Sequence, residues 1–197
     1  MSAVLEKPKV TPEELLRLPK DRRYELVDGE LVEKPMSAIS AVIGARILSR
    51  ISGFAEERNL GAVLNADASY CCFPHAPDRV RRPDISFIRR ERLGPEVWSK
   101  GHIPIAPDLV VEIASPSDLV EVLEARVEDY LEAGTPLVWV VYPATRTVRV
   151  QRGDRTGLSL KLDSELDGEE VLPGFRLPVR EIFRPLEQLP QKTGEKA

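Results

Sequence analysis

The chain has 197 residues, 42% of them hydrophobic, and its formal net charge is −4 at pH 7. This length and composition suit one globular domain with a substantial core. The negative charge argues against nucleic-acid binding over the whole surface, because such binding usually requires a basic footprint.

The first third of the sequence predicts a short helix, a hairpin and a long helix. Thr11 is a suitable N-cap and Pro12 a suitable first helical residue. In the segment YELVDGELVEK, two alternating runs flank Asp28-Gly29, a dipeptide typical of tight hairpins. From Ser37 to Glu57, apolar residues recur at helical spacing over about five turns.

The middle of the chain predicts two strands and an insert. GAVLNADASYCCF is typical of strand material with a turn or bulge near Asn65, and DISFIRR predicts a further strand. Between Arg89 and Pro107, glycines and prolines weaken the pattern and indicate an insert or lid. We interpret Trp98 and His102, which lie within it, as packing and surface residues.

The segment DLVVEIA predicts a buried strand, and the helix that follows it ends near Gly134, a natural C-cap. The apolar stripe of that helix consists of Leu119, Val122, Leu123, Val127, Tyr130 and Leu131. PLVWVVYP and TRTVRVQR predict a pair of strands, LSLKL predicts another, and a proline-rich tail follows.

The order of these elements predicts an α/β fold whose sheet is covered on at least one face. The sequence has no internal repeat and no clear domain boundary. We therefore expect a single domain over residues 1–197, with a core over about 11–152 and a C-terminal β extension and tail over about 153–197.

The cysteines and the hydropathy pattern predict a compartment. Cys71 and Cys72 are adjacent, and adjacent strand residues point to opposite faces, so we interpret them as reduced core-strand residues. No segment approaches the roughly 20 apolar residues of a membrane span, and no apolar run follows a basic start. We expect a cytoplasmic protein without a membrane partner. Abundant arginine and proline are typical of a thermophile or a GC-rich genome.

Two carboxylates interrupt runs that otherwise predict buried strands. Asp84 opens DISFIRR, and Glu112 lies near the end of DLVVEIA, whose two alternating sets are both apolar. A buried carboxylate is costly unless it is paired or holds a cation. If the two strands pair antiparallel, the acids converge and form a reasonable site for Mg²⁺ or Mn²⁺. Alternatively, Asp84 is a strand-start turn residue and Glu112 faces solvent.

An ordered series of segments resembles a known nuclease family. YELVDGELVEKP, RRPDISFI, PDLVVEIASPS, AGTPLVWVVYP and TVRV, between about Thr11 and Val150, resemble the PD-(D/E)XK nuclease superfamily. More closely, they resemble the Uma-type family of restriction endonucleases, abundant in cyanobacteria. The resemblance implies a restriction-endonuclease-like core of helix, three strands, helix and strand, preceded by the hairpin. It also implies divalent-metal-dependent hydrolysis of DNA.

The resemblance implies roles for individual residues. Asp84 and Glu112 match the two metal-binding acids, the ion being Mg²⁺ or Mn²⁺, and the Ile113 carbonyl matches a third ligand. Glu25 matches an acid of the family pattern; it is either a further ligand or a hairpin acid facing solvent.

Three positions depart from the family pattern and bear on whether the catalytic chemistry of the family is retained. Ala114 stands where the superfamily motif has a lysine. The Uma-type pattern usually supplies a lysine from the following helix, and the matching Arg126 is either a phosphate-neutralising site residue or a surface helix residue. Ser40 matches a histidine that the family commonly has at the start of the long helix.

Six arginines lie between Arg79 and Arg92. Four of them are candidate phosphate contacts, with a solvated charged face as the alternative. These four are Arg79, Arg81, Arg82 and Arg89.

Two functions therefore compete. One is a Mg²⁺-dependent DNA endonuclease, with a homodimer expected where both strands are cut. The other is a domain that keeps the nuclease fold, has lost the chemistry, and binds nucleic acid or protein. The residues at positions 40, 114 and 126 favour the second. A different hydrolase has little support, because His75 and His102, the only histidines, lie in no catalytic motif.

Overall fold

The computed structural model describes residues 9–19, 22–35 and 37–187. Its centre is a six-stranded mixed sheet, which confirms the predicted fold class. In spatial order the strands are β3 (Gly61–Asn65), β4 (Ile85–Arg89), β5 (Leu109–Ile113), β6 (Leu137–Tyr142), β7 (Thr147–Arg152) and β8 (Gly157–Leu160). Strands β5 and β6 are parallel, and every other neighbouring pair is antiparallel. Helix α4 (Val120–Glu132) makes the crossover between the two parallel strands.

A hairpin outside this sheet precedes the long helix. It consists of β1 (Tyr24–Val27) and β2 (Glu30–Glu33), and its turn is at Asp28-Gly29, as predicted. Both turn residues have positive φ, 53° and 86°, which is the requirement of a tight type I′ turn. The short helix α1 (Pro12–Leu15) is capped by Thr11, whose side chain and that of Glu14 form a capping box.

Helices cover both faces of the sheet. Helix α2 (Ala38–Glu57) has Ser37 as its N-cap, close to the predicted start, and packs on one face together with α5 (Val179–Glu187). Helix α4 packs on the other face through Leu123, Val127 and Tyr130. Leu119, which we expected in the buried stripe of α4, is 68% exposed because the helix begins after it.

The 20-residue helix α2 corrects the expectation that no segment is long and apolar enough to cross a membrane. By length and composition alone it could. Its buried residues lie at Ile43, Ile47, Ile51 and Ala55, a spacing that directs one face into the core. We therefore interpret α2 as a core helix of the fold.

The C-terminal segment agrees with the predicted β extension but also contains a helix that was not predicted, and the end of the predicted tail, residues 188–197, lies outside the described residues. It contains β9 (Glu165–Asp167), β10 (Arg176–Pro178) and α5. Phe175 and Phe183 belong to the same hydrophobic cluster as Trp139 at the centre of the sheet. Pro185 within α5 concealed this helix from the sequence pattern, because proline usually interrupts helices.

The segments on either side of β4 are largely irregular. Strand β3 ends at Asn65, and Cys71 and Cys72 are half-buried residues outside any strand, so the predicted core strand there is wrong. The insert between β4 and β5 contains a 3₁₀ turn (Arg90–Arg92) and the short helix α3 (Pro95–Trp98).

Two glycines at different places in the fold should respond oppositely to substitution by alanine. At Gly61 an added Cβ would collide with the Ile88 carbonyl oxygen in the neighbouring strand. We expect Gly61→Ala to lower the free energy of unfolding by about 1–3 kcal/mol. Gly53, an exposed position in α2, has open space around its Cβ position, so Gly53→Ala should raise stability by about 0.5–1 kcal/mol. Urea denaturation measures both, and equal effects would contradict the β3–β4 packing.

Candidate active site

The ends of β4 and β5 bring Asp84 and Glu112 together. The strands are antiparallel with Ile85 opposite Val111, so the residue before β4 lies beside the end of β5. The backbone N–H of Ile113 donates a 2.8 Å hydrogen bond to Asp84 Oδ2. The strand pairing on which the predicted convergence depends is therefore correct.

A lysine that the sequence did not reveal joins the two acids. Nζ of Lys34, the residue after β2, lies 2.8 Å from Glu112 Oε2 and 3.0 Å from Asp84 Oδ1. It also donates a 2.8 Å hydrogen bond to the carbonyl oxygen of Arg82. The Lys34 side chain is only 6% exposed, so these charge-assisted contacts are largely shielded from water. The ammonium offsets the repulsion that converging carboxylates would otherwise feel.

Backbone pairing and a buried acid hold the hairpin in this position. Leu26 exchanges two backbone hydrogen bonds with Val80, at 3.0 and 2.9 Å. The neighbouring Glu25 accepts a 3.0 Å hydrogen bond from the backbone N–H of Arg82. Because the carbonyl of Arg82 accepts from Lys34, one residue links the hairpin acid to the site lysine.

Glu25 is fully buried between two arginines. Its Oε2 accepts hydrogen bonds from Arg81 Nη1 at 2.8 Å and from Arg126 Nε at 3.0 Å. Burial alone would raise the pKa of Glu25, but the two guanidinium groups outweigh it and hold that pKa below its ordinary value. Glu25 is therefore not a solvent-facing hairpin acid, and both of its oxygens already accept hydrogen bonds. This arrangement favours a structural role over metal ligation.

Arg126 belongs to the same network and is not a surface residue of α4. Its side chain is 1% exposed, and its Nη1 lies 3.5 Å from Asp118 Oδ1. Among the described residues, its ion pairs are with Glu25 and Asp118 and not with the two acids of the site. The place that we expected Arg126 to take beside those acids is occupied by Lys34.

The charges around the site do not balance. Among the described residues, the connected buried or nearly buried network contains four cations, Lys34, Arg79, Arg81 and Arg126, and five acids, Glu25, Asp84, Glu112, Asp118 and Asp129. With every group ionised, one negative charge is uncompensated. Burial raises the pKa of Glu112 to about 7, although the Lys34 ammonium opposes the shift. The Tyr130 hydroxyl donates to Glu112 Oε1 at 3.2 Å.

The prediction that four arginines form a phosphate-binding strip is wrong for Arg81. That side chain is 3% exposed and is held by Glu25 and Asp129. Arg79 pairs with Asp28 and Asp129, while Arg82 and Arg89 donate to backbone carbonyl groups. These intramolecular partners explain why four nearby arginines do not form one continuous basic surface.

A cleft of about 260 Å³ opens beside Asp84 and Lys34. Asp84 retains 18% side-chain exposure whereas Glu112 retains 1%, so a ligand entering the cleft meets Asp84 first. Ser40 lines the cleft at the position matching the family histidine, and its hydroxyl lies 2.8 Å from that of Ser37.

Lys34 was missed because the strand before it gives no sign of burial. The three residues Glu30, Leu31 and Glu33 of β2 are exposed, which makes the run typical of a solvated hairpin. The available signal was indirect: two buried acids require a cation, but sequence spacing does not choose which lysine supplies it.

The mixed sheet, the paired acids at adjacent strand ends and the buried lysine between them define a restriction-endonuclease-like nuclease fold. The chain belongs to the Uma2 family, described as "Putative restriction endonuclease", whose profile matches residues 12–180. A similar solved structure is a "putative nuclease belonging to DUF820" from Anabaena variabilis, with a TM-score of 0.75 and 24% identity over 89% of this chain and 98% of that chain. No curated protein matches the sequence. Family membership supports a nuclease-type function with a nucleic-acid substrate.

Removing the charge of Glu25 should destabilise the protein strongly. Glu25→Gln leaves two buried guanidinium groups without their shared carboxylate, so we expect the free energy of unfolding to fall by about 3–5 kcal/mol. The matched control is Glu33→Gln in the same hairpin, whose partner Arg22 is 57% exposed. That change should alter stability by less than about 1 kcal/mol. Urea denaturation compares the two, and similar losses would contradict the structural role of Glu25.

Proposed function

We propose that this protein is a divalent-metal-dependent endonuclease that hydrolyses DNA phosphodiester bonds at Asp84 and Glu112. The observation that carries the proposal is the Lys34 ammonium, within 3.0 Å of both carboxylates at the mouth of a cleft. Two acids and a lysine are the groups that the superfamily motif requires, and here the lysine comes from the hairpin.

The residues present fit Mg²⁺ or Mn²⁺. Both ions prefer oxygen ligands, and Asp84 and Glu112 supply carboxylates. The amide of Ile113 points towards Asp84, and in a strand the carbonyl of a residue points to the same side as its amide. The Ile113 carbonyl is therefore available as a third ligand. The uncompensated negative charge of the network also favours a cation.

Among the residues that the structure describes, no group of three or more acidic, histidine or cysteine side chains could hold an ion. The remaining ligands would be water and substrate, as is usual for Mg²⁺. When bound, the ion would polarise the phosphate and lower the pKa of a water ligand.

Lys34 contributes what a metal ligand cannot. Its charge lies where an incoming phosphate would meet Asp84, so it can offset the negative charge that develops during hydrolysis. The ammonium has three donors and is held by three oxygens, those of Asp84, Glu112 and Arg82. If one contact opens, the freed donor can orient a water molecule or a phosphate oxygen. Arg126, held by Glu25, acts in this proposal as a positioning residue.

The alternative of an inactive binding domain depended on the residues at positions 40, 114 and 126, of which Ala114 replaces the motif lysine. Lys34 supplies an equivalent charge from another element, so this substitution does not remove the lysine function. Cutting both strands of a duplex with this fold usually involves two active sites, and we propose a homodimer for that case. Sedimentation of the protein with and without DNA tests the dimer separately from cleavage.

Three conservative variants test the proposal. We expect Asp84→Asn and Glu112→Gln to abolish detectable cleavage and to weaken Mn²⁺ binding, because each removes a charged ligand at constant volume. Lys34→Met should lower cleavage by on the order of 10²–10³-fold while retaining Mn²⁺ binding, because it removes an electrostatic group and no ligand. The measurements are single-turnover nicking of plasmid DNA with Mg²⁺ or Mn²⁺ and calorimetric titration with Mn²⁺.

The control is Lys161→Met, an exposed lysine after the far edge strand β8, which should cleave as the parent does. Circular dichroism checks that each variant is folded. Parental cleavage by Lys34→Met would remove the lysine from the mechanism. Absence of cleavage by the parent with either ion on supercoiled, linear and single-stranded DNA would overturn the proposed function.

A further inference from the structure

Trp98 is exposed in an unusual way. It exposes 64% of its surface, whereas the other tryptophan, Trp139, is completely buried. The preceding residue, Val97, is buried in the core on the α4 side of the sheet. Helix α3 is thus anchored by Val97 while the indole of Trp98 faces outward. A large aromatic group left in water on an anchored element is typical of a recognition surface.

The indole borders a concavity that adjoins the catalytic cleft. This concavity has a volume of about 530 Å³ and is lined by apolar side chains, including Val63 and Val97, together with Ser52 and Ser69. Leu48 and Asn65 line both this concavity and the cleft beside Asp84. A ligand in one can therefore continue into the other.

A third, basic concavity completes the surface. Its volume is about 960 Å³, and its charged lining residues are Arg22, Arg23, Arg82 and Lys100 with one acid, Asp67. It shares Arg23 with the cleft, and Asp67, Ser69 and Gly101 with the Trp98 concavity. Across the described part of the chain, Arg23 and Lys100 form no ion pair of the kind that holds the arginines around Glu25.

We propose that the Trp98 concavity is a subsite for an unpaired nucleobase, and that Arg23 and Lys100 bind phosphates of the same strand. This inference rests on the proposed function and names the substrate class: nucleic acid with an unpaired segment beside the bond that is cut. Stacking on an aromatic ring with backbone phosphates on nearby cations is the usual mode of binding single strands.

Pairing explains why the base must be free. In a duplex both faces of each base are covered by its stacked neighbours, so an indole cannot reach one without unstacking it. An unpaired base can stack on the indole without the cost of unstacking. The positive charge is also local, which suits one strand's phosphates on a chain whose net charge is −4.

The two tryptophans provide a direct optical test. A base stacked on Trp98 quenches its fluorescence, while Trp139 is shielded and gives a constant background. We expect a single-stranded oligodeoxythymidylate, titrated without metal, to quench the exposed component. A blunt duplex of equal length should quench much less at the same concentration.

Variants separate stacking from charge. Trp98→Ala should weaken single-strand binding, measured by fluorescence anisotropy of a labelled oligonucleotide, by roughly tenfold to a hundredfold, and Trp98→Phe should restore most of it. Arg23→Gln and Lys100→Gln should each reduce the slope of log affinity against log salt by about 0.7. The matched controls lie at the opposite edge of the sheet: Leu158→Ala, also an exposed apolar residue, and Lys161→Gln.

The outcomes distinguish this subsite from the nuclease proposal. Loss of single-strand affinity in Trp98→Ala, with parental affinity in Leu158→Ala, supports the subsite even if no metal produces cleavage. Unchanged affinity in Trp98→Ala, equal quenching by duplex and single strand, or no quenching by either overturns it. If cleavage is lost in Glu112→Gln but kept in Trp98→Ala on every substrate, the nuclease proposal stands and the subsite proposal is wrong.

Discussion

The interaction on which the structure depends is the buried ammonium of Lys34 between Asp84 and Glu112. Antiparallel pairing of β4 and β5 forces the two carboxylates together, and their burial without a cation would be costly. The cation comes from a hairpin that lies outside the main sheet, so the hairpin must pack against the strand ends for the site to exist. Its two backbone hydrogen bonds with Val80 and the burial of Glu25 hold it there. Any change that loosens the packing of the hairpin would therefore also remove Lys34 from the site.

The network divides its cations by chemistry. The arginines that bind Glu25 lie behind the site, where a planar, permanently charged group with several donors can hold two carboxylates in fixed positions. Lysine lies at the cleft, where a compact ammonium on a flexible stem can change partners when a phosphate or water arrives. If the residue types were exchanged, the flexible lysine would lie behind the site. The planar guanidinium group of an arginine would then lie at the cleft. The observed order suits the hydrolysis that we propose.

Features set by local chemistry could be predicted from the sequence, and features set by tertiary contacts could not. Turn chemistry at Asp28-Gly29 located the hairpin, and helical periodicity located α2, because neighbouring residues decide both. The convergence of Asp84 and Glu112 could be predicted because acids are conspicuous in apolar strands. Helix α5 was missed because Pro185 disguises it and its stability comes from packing on α2. Lys34 was missed because β2 is exposed along most of its length and only the contact with β4 and β5 buries its end.

The predicted position of Arg126 beside the two acids was wrong for the same reason, because tertiary contacts decide it. This result shows what a nuclease motif specifies. A motif written as letters assigns the lysine to one chain position, and this chain has Ala114 there. The physical requirement is a positive charge within hydrogen-bonding distance of two carboxylates, and any element that reaches the site can supply it. Once Lys34 meets that requirement, an arginine on α4 is free to neutralise Glu25. One substitution in the motif therefore does not indicate an inactive site; the charges that surround both acids in space decide that question.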